Sequence, residues 1–499
     1  MKFSRELIGA LIFLALLPLL VFYKNGYDYY KLSQAKKVFQ AKGEKLTWDE
    51  LHLTKPPQDG NGAELLLNAA DQLYNLKESC HLAADGLPTM TLVVPGHARV
   101  LQHDQDLPSS PLEKGKFRHA WSDLSQQSAK GSDALQQVHE ALRKPVLRVD
   151  LDYKLGLALM TPHLTKIRSV ARWLSTAALS EIHEGRLDAA VDKIQDIALL
   201  TRFQKEEPVL ISQLVRIAVG SIGMGATWAI LQEPNLNDEE LQQLQTTWSG
   251  AQILPQLEDV SEYDRVVFID AFADLRKNGT RSKTWIAFGN IDQESNERVK
   301  ALAGLGVQTW RLGFSYADEI AYLQKMQTLI EDARTFSTQK SLMALARQRS
   351  SLNKLNRSQT AYQKMGTLFT RTFTPAMERV FTSEARFETQ REMTVAAIEL
   401  YRYRLQIGKY PDRLEDLVPQ FASEVPRDYM DGNPLRYRLN TDGTFLLYSV
   451  GEDGKDDGGD PTPDAKIDST ALLWKGRDVV WPSPATSEEV AAFETGKEK

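Results

Sequence analysis

The chain has 499 residues, which points to two or three folding units rather than one core. Its apolar share of 42% and charged share of 25% match ordinary globular protein, so neither a fibrous nor a disordered chain is expected. The net charge is −6, which excludes the basic footprint of a nucleic-acid binder. That charge sits in the tail: from Gly408 onward 19 acidic residues face 11 basic ones. The single cysteine, Cys80, allows neither an internal disulfide nor a Cys-based zinc site. All eight histidines lie between His52 and His183, so imidazole chemistry is excluded from the rest of the chain acting alone.

Leu7 to Tyr23 is an apolar run of 17 residues that follows Lys2 and Arg5. No small-residue cleavage site follows it, and it reads as an uncleaved signal anchor, a transmembrane helix through residues 7–23. Lys24, Lys31, Lys36, Lys37 and Lys42 follow the run, and by count they would hold the bulk of the chain inside. Long domains translocate largely regardless of charge, and an extracytoplasmic, periplasmic-type location is expected.

Four regions follow from composition and periodicity: an anchor over 1–25, a helical and irregular region over 26–150, a helical body over 151–378, and a small α+β head over 379–499. The fold class is mainly α. Helices are expected over Gly26–Phe39, Ala63–Leu76 and Pro111–Arg143, the last interruptible at Gly131. Ala83–Pro111, rich in Gly, Pro and Asp, is expected to be irregular. Leu164, Ile167, Ala171, Leu174, Ala178 and Ile182 mark one face of a helix. Gly185 is placed to end that helix, and Leu187, Val191, Ile194 and Ala198 begin another, giving a helical hairpin. Further helices are expected over Pro208–Leu231, Asp238–Trp248, Pro255–Lys277, Tyr316–Thr335 and Ser337–Leu355. Asn278–Gly313 gives no pattern. A long helix ends at Gly408. Leu435–Leu439 and Thr444–Tyr448 alternate about Asn440-Thr441-Asp442-Gly443 as a hairpin, and a second hairpin is expected around Lys475–Asp478.

The tail carries a pattern: a helix ending in Gly408-Lys409-Tyr410-Pro411, then Leu414-x-x-Leu417-x-Pro419, Val425-Pro426-x-Asp428, and Asp431-Gly432-Asn433-Pro434-Leu435-x-Tyr437. With Leu447-Tyr448-Ser449-Val450-Gly451-Glu452-Asp453-Gly454 it resembles the head of type II secretion major pseudopilins, over roughly Phe387–Asp468. The whole chain is similar to long bacterial membrane-anchored envelope proteins sharing this tail. The resemblance implies a calcium site with carboxylates from Asp453 and Asp464, carbonyls near Leu447 and Val450, and Asp457 and Asp460 close by. Six Asp residues between Asp453 and Asp468 on a Gly-rich loop suit a hard cation, which takes oxygen ligands on flexible backbone. Counted as an EF-hand the loop puts Lys455 where an acid is needed, so that motif is excluded. The prepilin peptidase site is missing before the apolar run, and the anchor is far from the head, so processing as a pilin subunit is not expected.

Other chemistry is weaker. His139-Glu140-Ala141-Leu142-Arg143 is half a zincin motif with Arg in place of the second His. Gly220, Gly223 and Gly225 form neither a nucleophile elbow nor a dinucleotide fingerprint, and are expected to let an apolar helix pack closely. Glu258, Asp259, Glu262, Asp264 and Asp270 include pairs on one helical face, a pattern that paired-carboxylate hydrolases share with solvated acidic faces. Trp310, Phe314 and Tyr316 suit a sugar groove or a core. The reading that follows is a non-catalytic, membrane-tethered envelope protein. It has a partner-binding helical body and a calcium-stabilised head. An envelope hydrolase acting on carbohydrate and a type II secretion accessory protein are the alternatives.

Overall fold

The structure, a computed structural model, describes residues 5–108, 118–288, 297–353, 366–463 and 473–496. It is mainly helical. α1 (Arg5–Ala41) is one continuous helix, so the segment after the apolar run prolongs it without a break. α2 (Ala63–Asn75) and α3 (His81–Asp85) follow. Next come two short strand pairs where irregular chain was expected. β1 (Thr91–Val94) and β2 (His97–Arg99) form a hairpin over Gly96, at φ 79°. β3 (Leu107–Pro108) pairs with β4 (Arg118–His119).

The helix expected over Pro111–Arg143 is two: α4 (Trp121–Lys130) and α5 (Ser132–Leu142). Residues 111–117 lie outside the described residues. The break falls at Gly131, where a Cβ would sit 2.7 Å from the ring of Trp173. α6 (His163–His183) and α7 (Leu187–Leu200) form the expected hairpin, with Gly185 at φ 74°. α8 (Leu210–Ile230) packs on both. By length and composition it alone among the searched residues suits a membrane span, yet 56% of its apolar window is buried. Its glycines explain the close fit. A Cβ on Gly220 would lie 2.4 Å from Phe387, and one on Gly223 would lie 2.8 Å from Ile197 and Trp248.

α9 (Asp238–Ser249) starts from an Asn237 capping box. α10 (Leu257–Asn278) runs antiparallel to α13 (Ser315–Gln339), and between them lie α11 (Lys283–Phe288) and α12 (Glu297–Gly313). The patternless stretch is therefore mostly helical. α14 (Leu342–Asn353) precedes α15 (Leu368–Ile407), a 40-residue helix closed by Gly408 at φ 88°. β5 (Arg436–Leu439) and β6 (Phe445–Ser449) make the expected hairpin. β7 (Val479–Val480) pairs with β6, Leu473–Lys475 is a 3-10 turn, and residues 471–472 of the expected second hairpin lie outside the described residues. β8 (Ser483–Pro484) joins β2 in parallel, and α16 (Ser487–Gly496) ends the described chain.

The expected divide at 378/379 falls inside α15. One core contains Ile194, Trp228 and Trp248 from the body with Phe387, Leu400, Leu417, Leu447 and Trp481 from the tail. Trp228 donates its indole N–H to the carbonyl of Pro482 at 2.8 Å. The amides of Leu342 and Met343 donate to the carbonyls of Tyr429 and Met430. Head and body thus share apolar burial, the dominant folding term.

Candidate functional site

Two places concentrate polar groups that could act on something outside the chain: the acidic loop of the head and a cleft along α10. In the head, Asp428 is fully buried. It accepts from the amides of Met430 (2.9 Å) and Val450 (3.0 Å) and the hydroxyl of Ser449 (2.9 Å). Burial pushes its carboxyl up to about 6 against those bonds.

The loop's own aspartates close local turns. Asp453 accepts from the amide of Lys455, and Asp460 from the amide and hydroxyl of Thr462 and from Arg477. Asp457 enters through its amide, which donates to Asp478 at 3.1 Å. The carbonyl of Leu447 accepts from the amide of Trp481, and the amide of Val450 is held by Asp428. Asp464 lies outside the described residues. Among the described residues no three acidic, His or Cys side chains gather into a metal-sized group. Oδ1 of Asp478 is buried without a hydrogen-bond partner, near Asp456 and Asp457. Sequence reasoning missed Asp478, because it lies beyond the Asp-rich run and returns to the loop only through the β6–β7 pairing.

Along α10 the acidic series separates by role. Glu258 and Glu262 join Arg334, and Glu262 also meets Lys45 at 2.7 Å. Arg265 is buried with Glu44 and Gln327, and Glu44 falls to about 2 because Arg334, Gln327 and Arg265 outweigh its burial. Two residues face a cleft that the turn Tyr153–Ala158 divides into two chambers. Gly156, at φ 53°, lines both.

The outer chamber, about 440 Å³, holds Trp48, Lys154, Asp270, Asp274, Lys277 and Lys283. The indole of Trp48 donates to Asp270 at 3.4 Å. Asp274 accepts from Asn278 and from the amide and hydroxyl of Thr284, and these bonds hold its carboxyl below the usual range despite burial. The inner chamber, about 350 Å³, is walled by Leu210, Leu214, Val267, Phe268, Phe373 and Met377. Asp264 opens into it, and burial alone pushes that carboxyl up to about 7.

The remaining candidates are structural. His139 and Arg143, the half zincin motif, both bind the buried carboxylate of Asp196. Trp310 is fully buried, donates to Asp318 at 2.8 Å and packs on Phe369. A buried polar row also crosses the body. Glu388 accepts from the amides of Ile253 and Leu254, while Glu384, near Glu388 and Arg216, has both carboxylate oxygens unpartnered. Burial and the neighbouring Glu388 push the Glu384 carboxyl well above its usual range. Comparison of the chain with family models, with curated proteins and with solved structures returns no match.

Proposed function

We propose that this chain is a non-catalytic, membrane-tethered envelope protein. In this reading the helical body is a partner-binding scaffold and the tail a pseudopilin-like head whose acidic loop takes calcium. The observation that carries the reading is the surface of α1 at the end of its apolar run and just past it. Phe22, Tyr23, Tyr27, Tyr29 and Tyr30 are all exposed there, among Lys24 and Lys31. Exposed aromatic rings interleaved with lysines suit the headgroup layer at the end of a spanning helix. The body gathers at the same level. Lys24 donates to the carbonyl of Gly313 at 2.7 Å, Tyr29 meets Tyr316, and Arg276 lies over Tyr316. Leu305 and Leu312 of α12 are exposed beside this junction. The unpartnered Oδ1 of Asp478 supports the calcium part of the reading.

The scaffold reading is tested by photo-crosslinking in cells from Ile211 and Ile286, apolar residues of the body exposed on α8 and α11. The expected result is a discrete adduct with another envelope protein, lost on deletion of residues 1–25. No adduct from either position overturns partner binding through this surface. An adduct with a pseudopilin shifts the reading to a secretion accessory protein. The cleft favours a second reading, a hydrolase using Asp264 and Asp270, and envelope carbohydrate cleaved by the purified chain but not by an Asp264→Asn variant would establish it.

A further inference from the structure

We propose that the inner chamber of the cleft is a binding site for an apolar organic cation, a small amine carrying a hydrocarbon or aryl group. The ammonium would sit against Asp264 and the apolar part against Leu214, Val267, Phe373 and Met377. This inference goes beyond the tethered-scaffold reading and does not depend on it.

Three observations converge on the site. The chamber has a volume of about 350 Å³, within the range of small-molecule pockets, and its walls are mainly aliphatic and aromatic. Asp264 is its one charged group, joined by the hydroxyls of Thr161 and Thr372. The carboxylate of Asp264 meets no hydrogen-bond donor and no cation among the described residues, although groups that might have served lie close by. Arg265 turns to Glu44, Gln327 and the carbonyl of Lys45. The hydroxyl of Tyr263 donates to the carbonyl of Tyr153. The hydroxyl of Tyr322 donates to the backbone carbonyl of Asp264 and not to its side chain.

Asp264 is half-buried against an apolar wall, where a carboxylate without a partner is poorly solvated and a cation beside it is favoured. Along α10, Glu258 and Glu262 meet Arg334, and Asp270 and Asp274 meet neutral donors of the chain, whereas the carboxylate at the chamber wall, Asp264, is left for a cation from outside. An amine with an apolar body supplies both halves: charge for Asp264 and surface for the walls. The chamber opens to the surface beside Ile211, Thr372 and Ala376, which line it and are exposed.

The test uses the full chain in lipid nanodiscs at pH 8, with empty nanodiscs as the reference for partitioning. The probes are benzylammonium, benzyl alcohol and benzoate, read by calorimetry and by thermal melting. Benzylammonium is expected to bind at least about tenfold more tightly than benzyl alcohol, and benzoate not to bind. In Asp264→Asn, which keeps the shape of the side chain, the amine and the alcohol should bind alike. Ala376→Trp should fill the chamber and remove both. Equal binding of amine and alcohol by the unaltered chain overturns the proposal. So does an amine preference that survives in a folded Asp264→Asn variant, or amine binding undiminished in a folded Ala376→Trp variant.

Discussion

The carboxylate of Asp478 accepts a hydrogen bond from the amide of Gly459 at 2.7 Å, and the same oxygen takes the amides of Asp457 and Asp460. One side chain thus organises the acidic loop from outside it. Burial raises the Asp478 carboxyl against the pull of those amides. Asp478→Ala should cost the full chain about 2–3 kcal/mol in chemical denaturation, as expected for removing the acceptor of several charge-assisted bonds. A loss no larger than that of Asp442→Ala, in the exposed β5–β6 turn, would show that the loop is held by other means.

Calcium is best sought in the same full chain, since the head shares its core with the body. Millimolar calcium should raise the melting temperature relative to chelator, through binding to the folded state only. Asp453→Ala or Asp464→Ala should remove most of that rise, and Asp442→Ala should leave it. Identical melting with calcium and with chelator would leave a loop held by Asp478 alone.

Asp264 gives stability a pH dependence of defined sign. Its folded value is raised from 3.8 to about 7, so between those limits the folded chain keeps a proton that the unfolded chain has lost. Its contribution to stability therefore falls as pH rises through that window and stays unfavourable above it. Asp264→Asn should melt higher than the unaltered chain at pH 8, with the difference closing by pH 4. A difference constant across that range would place the effect elsewhere.

The glycines of α8 predict a contrast. Gly220→Ala drives a Cβ to 2.4 Å from the ring of Phe387 and should destabilise by about 1–3 kcal/mol. Gly306→Ala, in α12, meets nothing within 4 Å and should be neutral or stabilising by about 0.5–1 kcal/mol. Equal effects in denaturant titrations would contradict the packing described.

Membrane attachment is read by extraction and by depth. The full chain should stay with membranes through high salt and carbonate, and a chain starting at residue 26 should not. An environment-sensitive dye at Leu312 should shift to the blue in liposomes and be quenched by spin-labelled lipid, while one at Gln339, at the far end of α13, should not. Matching spectra at the two positions would detach this end of the body from the bilayer.

Much of the helical scaffold was legible in the sequence because amphipathic helices write their own periodicity. The α6–α7 hairpin and its Gly185 turn fall where the apolar spacing put them. What stayed hidden depends on partners far along the chain. β1 and β2 are three or four residues long and gain their third strand only from β8, so nothing local announces them. Asp264 was visible as one acid in a series. Its isolation was not, because that depends on where Arg334, Lys45 and Arg265 turn. Asp478 looked like a plain turn residue until the sheet carried it back to the loop.

The parallel pairing of β2 with β8 sets His97 against Ser483, and a hydrogen-bond contact between His97 and Glu489 joins positions 392 residues apart. That sheet cannot close on a partly made chain. Synthesis must pass Pro484 before β2 finds its outer mate, and contacts of such long sequence separation form slowly. Until then the β1–β2 hairpin stands with the outer edge of β2 open. Completion of this sheet is timed by arrival of Ser483 and Pro484, and a chain cut short before them would leave the edge of the first sheet open.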